Sequence, residues 1–86
     1  MRLVKVNAPE GKGADIAKLA FSIGIGQVAV QKAEIHSSEG ETEIKDLIDI
    51  QTSTPKAKHF VDALIASDFY NQENYTINTR QPRSLS

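Results

Sequence analysis

The stretch Thr42-Glu-Ile-Lys-Asp-Leu-Ile-Asp-Ile-Gln-Thr-Ser-Thr-Pro-Lys-Ala-Lys-His-Phe-Val-Asp-Ala-Leu64 changes period in its middle. Up to Thr52 the side chains alternate. Ile44, Ile48 and Ile50 point one way, with Asp46 the exception, and Lys45, Leu47, Asp49 and Gln51 point the other. Period two means a strand with one buried face. Beyond it, Ala57, Phe60, Val61 and Leu64 recur at helical spacing, with Ile65 at the margin. Thr54 reads as the N-cap of this helix and Pro55 as its first residue, where the missing N–H has no helical partner anyway.

The same switch occurs earlier in the chain, in the order strand, loop, helix. Residues 2–7 alternate, with Val4 and Val6 on one side and Arg2 sharing their parity. Pro9, Gly11 and Gly13 then break regular structure. A helix from Gly13 or Ala14 to Ile23 follows, with Ile16, Leu19, Ala20 and Ile23 on one face and Asp15 in the first turn, where negative charge suits the dipole. Gly24 and Gly26 end it. Residues 27–37 form the next strand, but Val28 and Val30 have one parity and Ala33 and Ile35 the other. Either a bulge lies near Gln31 and Lys32 or both faces are partly covered. Ser38-Glu-Gly-Glu41 is a hairpin turn with Gly40 at positive φ. A polar connection over residues 68–74, carrying Phe69 and Tyr70, leads to a last strand over residues 75–80 with Tyr75 and Ile77 inward. Pro82 stops pairing.

The order β-α-β-β-α-β resembles a ferredoxin-like sandwich: an α+β fold with a four-stranded antiparallel sheet and two helices on one face. Right-handed crossovers give the strand order 4-1-3-2. Residues 1–81 are expected to form the domain and residues 82–86 a polar tail. Leu3 and Leu47 then face away from the helices and are expected to lie close together, as part of a self-association patch.

Composition narrows the function classes. The chain has 86 residues, 10 basic and 11 acidic, a net charge of −1, no cysteine and no tryptophan. A chain this short buries roughly 60–65% of its unfolded surface, so its core is thin and association would stabilise it. No thiolate metal site, disulfide or cysteine nucleophile is possible. The charge balance gives no field for nucleic acid, and no basic stripe is interleaved with aromatics. No run reaches the ~20 apolar residues of a membrane span. The expectation is a soluble cytoplasmic chain, with Asn74-Tyr-Thr76 a chance glycosylation triplet.

His36 and His59 are too few and too far apart for a metal site, which needs three or four converging ligands. His59 falls opposite the buried stripe of its helix. Glu39, Glu41 and Glu43 share one side of a strand and read as solvated charge, eased by Lys32 or Lys45. The serines Ser22, Ser37 and Ser38 lack a base and an orienting group. No catalytic residues, metal or cofactor are therefore assigned. The suggestive segment is loop 9–13. Glu10, Gly11, Lys12 and Gly13 join a strand to a helix N-terminus, where free N–H groups, the dipole and Lys12 would favour an anionic ligand. Its spacing is not that of a P-loop.

Two resemblances carry expectations. The opening Arg2-Leu-Val-Lys-Val-Asn-Ala-Pro-Glu-Gly-Lys12 resembles the start of a bacterial and archaeal membrane protein family of unknown function. Asp46-Leu-Ile-Asp-Ile-Gln-Thr-Ser-Thr-Pro-Lys-Ala-Lys58 with Phe60-Val-Asp-Ala-Leu64, and Tyr75-Thr-Ile-Asn-Thr-Arg80 with Arg83, resemble later parts of its soluble N-terminal domain. The resemblance implies a non-enzymatic regulatory or assembly domain at the cytoplasmic face of the inner membrane, with a membrane-spanning domain following it; the thin core and open sheet face add the expectation of a homo-oligomer. Arg80 and Arg83 would be juxtamembrane charges that stay cytoplasmic. Gly11-Lys-Gly-Ala-Asp-Ile-Ala-Lys-Leu-Ala20 with Ile23-Gly-Ile25 is similar to ACT regulatory domains and, more loosely, to P-II-like proteins. That likeness implies the alternative: a free-standing sensor binding an amino acid or anion, its small-molecule effector, at the loop from Pro9 to Gly13, with Gly11 and Gly13 as the turn positions. ACT loops carry an acidic residue ahead of the turn proline; here Ala8 precedes Pro9 and Glu10 follows it.

Overall fold

A computed structural model describes residues 1–80. The tail over residues 82–86, Pro82 as a strand stop and Arg83 lie outside the described residues. The elements run β1 (Arg2–Pro9), α1 (Gly13–Ser22), β2 (Ala29–His36), β3 (Thr42–Thr52), α2 (Thr54–Ala66) and β4 (Thr76–Arg80). The four strands form one antiparallel sheet in the order β2-β3-β1-β4, which read from β4 is the expected 4-1-3-2. The fold is α+β, with both helices packed on one face of the sheet.

The buried face follows from alternation. Val4, Val6 and Ala8 of β1 and Ile48 and Ile50 of β3 are fully covered or nearly so, opposite Ile16 and Ala20 of α1 and Ala57, Phe60 and Leu64 of α2. Leu19, Ile23, Val61, Phe69 and Tyr70 pack against this core from its margin. The expected stripes of both helices are thus the ones that face the sheet.

Local signals fix the connections. At the end of α1 the N–H of Ile25 donates to Ala20 and that of Gly24 to Phe21, with Gly24 at φ 97°. This double closure uses the last helical carbonyls and needs a residue that tolerates the left-handed region. In the hairpin, Ser37 N–H donates to Glu41 O (2.9 Å), Gly40 N–H donates to Ser37 O (3.1 Å), and Gly40 sits at φ 89°. That is a three-residue loop closed by a glycine bulge.

Four expectations need correction. The cap of α2 is Ser53, whose Oγ accepts from Lys56 N at 3.4 Å; Thr54 is the first helical residue and Pro55 the second. Ser53 has the extended backbone (φ −66°, ψ 155°) that turns a side chain back over the helix start. β2 has no bulge: its register with β3 runs unbroken from Ala29↔Asp49 to His36↔Thr42. Residues paired across a ladder share a face. Val30, Lys32, Glu34 and His36 therefore look to the helix side, opposite Ile48, Asp46, Ile44 and Thr42. Ile44 is not buried, because the β2–β3 hairpin extends past the helices; Val30 (45% exposed), Ile35 (40%) and Ile44 (38%) are open. Finally, Leu3 and Leu47 do share the open face but are not close. Leu3 pairs with Gln51 and Leu47 with Asn7. The Lys5–Asp49 ion pair (3.8 Å) lies between them. Four residues of strand separate the two levels, roughly 13 Å.

Candidate functional site

The loop that joins β1 to α1 is closed by a turn in which Lys12 N–H donates to Pro9 O (3.1 Å) and Gly11 takes φ 93°. α1 then starts with an N-terminal residue, Lys12, whose side chain makes no capping bond. A helix start leaves several N–H groups without partners. Here the partner comes from another element. Asp46, on the helix side of β3 and 4% exposed, places Oδ2 2.8 Å from Gly13 N and 3.1 Å from Gly11 N. Its other oxygen, Oδ1, lies 3.4 Å from Lys32 Nζ on β2. Lys32 also reaches Glu10 Oε2 at 3.4 Å.

Asp46 is therefore the capping anion of α1, delivered across the fold. Burial pushes its pKa up, but the bonds from Gly13 N–H, Lys32 and Gly11 N–H outweigh that, and the net shift is downward from 3.8. Lys32 responds in the opposite sense. Some loss of hydration lowers its pKa, but Glu10 and Asp46 raise it overall above 10.5. Gly13 is required by close approach, not by backbone angle. A Cβ there would meet Val30 Cγ1 at 2.6 Å and Asp46 Oδ2 at 2.8 Å.

Of the expected ligand residues, Gly11 and Gly13 do present N–H groups toward one anion, and Glu10 joins the same cluster through Lys32. Lys12 stands beside it and pairs with no carboxylate among the described residues. The anion is part of the chain. An external carboxylate or phosphate taking the Gly11 and Gly13 N–H groups would have to displace Asp46. Asp46 and Lys32 are the members that sequence reasoning missed. The signal was the lone acid on the apolar face of β3, since a buried charge needs partners.

Elsewhere, His36 Nε2 lies 2.8 Å from Glu34 Oε1, and its Nδ1 lies 3.3 Å from Thr42 Oγ1. Among Glu39, Glu41 and Glu43, Lys45 approaches only Glu43, at 3.8 Å. No group of three or more His, Cys, Asp or Glu that could hold a metal occurs among the described residues. No helix among them is long and apolar enough to cross a membrane. An open cleft of about 290 Å³ lies between α2 and β4, with Ala57 and Val61 as its apolar floor and Arg2, Lys58 and Asp62 around it.

Comparison with protein-family models finds no match, and neither does comparison with curated proteins. The class of this chain is therefore defined by its architecture, a two-layer α+β sandwich with an internally capped β1–α1 loop.

Proposed function

We propose that this chain is a non-enzymatic assembly or regulatory module that works by self-association. One observation carries the reading. The eight-residue edge strand β2 has no strand on its outer side among the described residues, and it carries two partly open apolar side chains, Val30 (45% exposed) beside Gly13 at the start of α1 and Ile35 (40%) towards the hairpin turn. Exposed apolar side chains on a free strand edge are what pairing with another chain uses. The filled loop supports the same reading against a sensor, because Gly11 and Gly13 already donate to Asp46. In this reading the module sits on the cytoplasmic side of a membrane, with a membrane-spanning partner region in the same protein or beside it. Arg80 at the end of β4 suits that side.

Two measurements test it. Sedimentation over a concentration series should give a mass above the 9.4 kDa of one chain. A thermal-shift panel of amino acids, nucleotides and phosphate should leave the midpoint unmoved. A ligand at 100 times its Kd would add about 2.7 kcal/mol. Such a shift, with a monomeric mass, would sink the assembly reading in favour of the sensor.

A further inference from the structure

β2 is an outer strand, and every residue of it except Ala33 is exposed. The 2.9 Å bond from Ser37 N–H to Glu41 O makes 37 and 41 a hydrogen-bonded pair, at the end of the unbroken β2–β3 register. Bonded and non-bonded pairs alternate along an antiparallel ladder. The odd-numbered residues of β2 therefore turn their backbone groups to β3. Val30, Lys32, Glu34 and His36 turn theirs outward, to an edge with no strand beside it among the described residues.

We propose that a second copy of this chain pairs antiparallel along β2, with Ala33 opposite the partner's Ala33, to make one continuous sheet of two four-stranded halves. The inference rests on the self-association reading and specifies its surface and register. Two constraints select this register. Outward backbone groups must meet outward groups, so even-numbered residues can pair only with even-numbered ones. Three such alignments overlap well, centred on residue 32, 33 or 34. Centring on 32 sets Lys32 against the partner's Lys32, and centring on 34 sets Glu34 against the partner's Glu34. Centring on 33 sets Lys32 against the partner's Glu34 and Glu34 against the partner's Lys32. Opposite charges directly across a ladder stabilise it and like charges oppose it.

The same alignment uses the strand to its full length. Val30 pairs with the partner's His36, so all four outward residues of each copy find bonded partners. On the open face, small Ala33 meets its counterpart at the dyad, and Ile35 lies opposite the partner's Gln31. Lys32 already stands 3.4 Å from both Glu10 and Asp46, so the partner's Glu34 would extend an existing charge cluster. Glu34, now 2.8 Å from His36, is exposed and would turn from it to the partner's Lys32. Charges at an edge bar strands that lack the complementary pattern. The other edge, β4, is only five residues long.

The absence of cysteine makes the test clean, since one introduced thiol is the only one. In the proposed register Ala33 and the partner's Ala33 form a non-hydrogen-bonded pair with Cα atoms about 4.5 Å apart. That falls within the roughly 4.4–6.8 Å a disulfide spans. Ala33→Cys should link into a covalent dimer under mild oxidation. Gln31→Cys should not, because residue 31 and its counterpart are offset by four residues, about 13 Å. Glu34→Lys should weaken the dimer on the order of tenfold or more, with an unchanged circular dichroism spectrum. A wild-type dimer in which Ala33→Cys stays unlinked, or Gln31→Cys links equally well, overturns the register and leaves self-association standing. A wild-type chain that stays at 9.4 kDa throughout overturns both.

Discussion

Among the described residues, Asp46 is the one buried charged side chain. It closes the start of α1 from β3, through bonds to Gly11 and Gly13 that span 35 and 33 residues of sequence. Asp46→Ala leaves those N–H groups without an acceptor and should cost roughly 2–4 kcal/mol, read from urea midpoints, since bonds to charged groups contribute about 1.5–3 kcal/mol each. The pH dependence follows in sign. Its folded pKa lies below its unfolded value of 3.8, so its contribution is fully present above the carboxylate range. It is lost as pH falls from about 5 through the folded pKa. Acid unfolding of wild type should steepen there, and Asp46→Ala should flatten that part of the profile; an unchanged profile would assign the loss to other carboxylates. Tyr75 presents the opposite case. Its ring is buried beside Tyr70 (centroids 5.2 Å apart), yet its hydroxyl has no partner among the described residues. Burial and then the Asp15 charge raise its pKa. An unpaired buried hydroxyl is unfavourable, so Tyr75→Phe should raise stability by up to about 1 kcal/mol in the same assay. A loss would mean that the hydroxyl has found a partner in solution.

Elements were legible where their signals are local. The alternation of β3 predicts Thr42–Thr52, the bounds observed, and Gly24 and Gly40 stand at the positive φ angles their turns require. The capping of α2 was misplaced by one residue because Ser53 and Thr54 both carry a hydroxyl able to cap, and which of them starts the helix is set by the backbone. Ser53→Ala should lower stability by about 1 kcal/mol and Thr54→Ala by much less, a contrast that thermal melts of the two variants would check. Equal losses would return the cap to Thr54. The parity conflict in β2 dissolves without a bulge. The strand is exposed on both sides, so neither apolar pair had to be inward.

At the scale of the whole molecule, one covered face and one open face leave a small domain with a thin core and, among the described residues, two sheet edges with no neighbouring strand. The open face is polar near its centre, where Lys5 meets Asp49 between the levels of Leu3 and Leu47. If assembly runs through the β2 edge, Leu47→Glu should leave the sedimenting mass unchanged; a fall to one chain would move the interface to the open face. Much of the architecture was written in the sequence: the order of six elements, the faces their helices bury and the strand order. Periodicity and turn chemistry act within a few residues and survive without tertiary context. Tertiary structure alone decided that Asp46 caps the β1–α1 loop, that Lys32 joins it, and that Leu3 and Leu47 stand apart. Those facts depend on strand register and on contacts between residues distant in sequence, which no local pattern encodes.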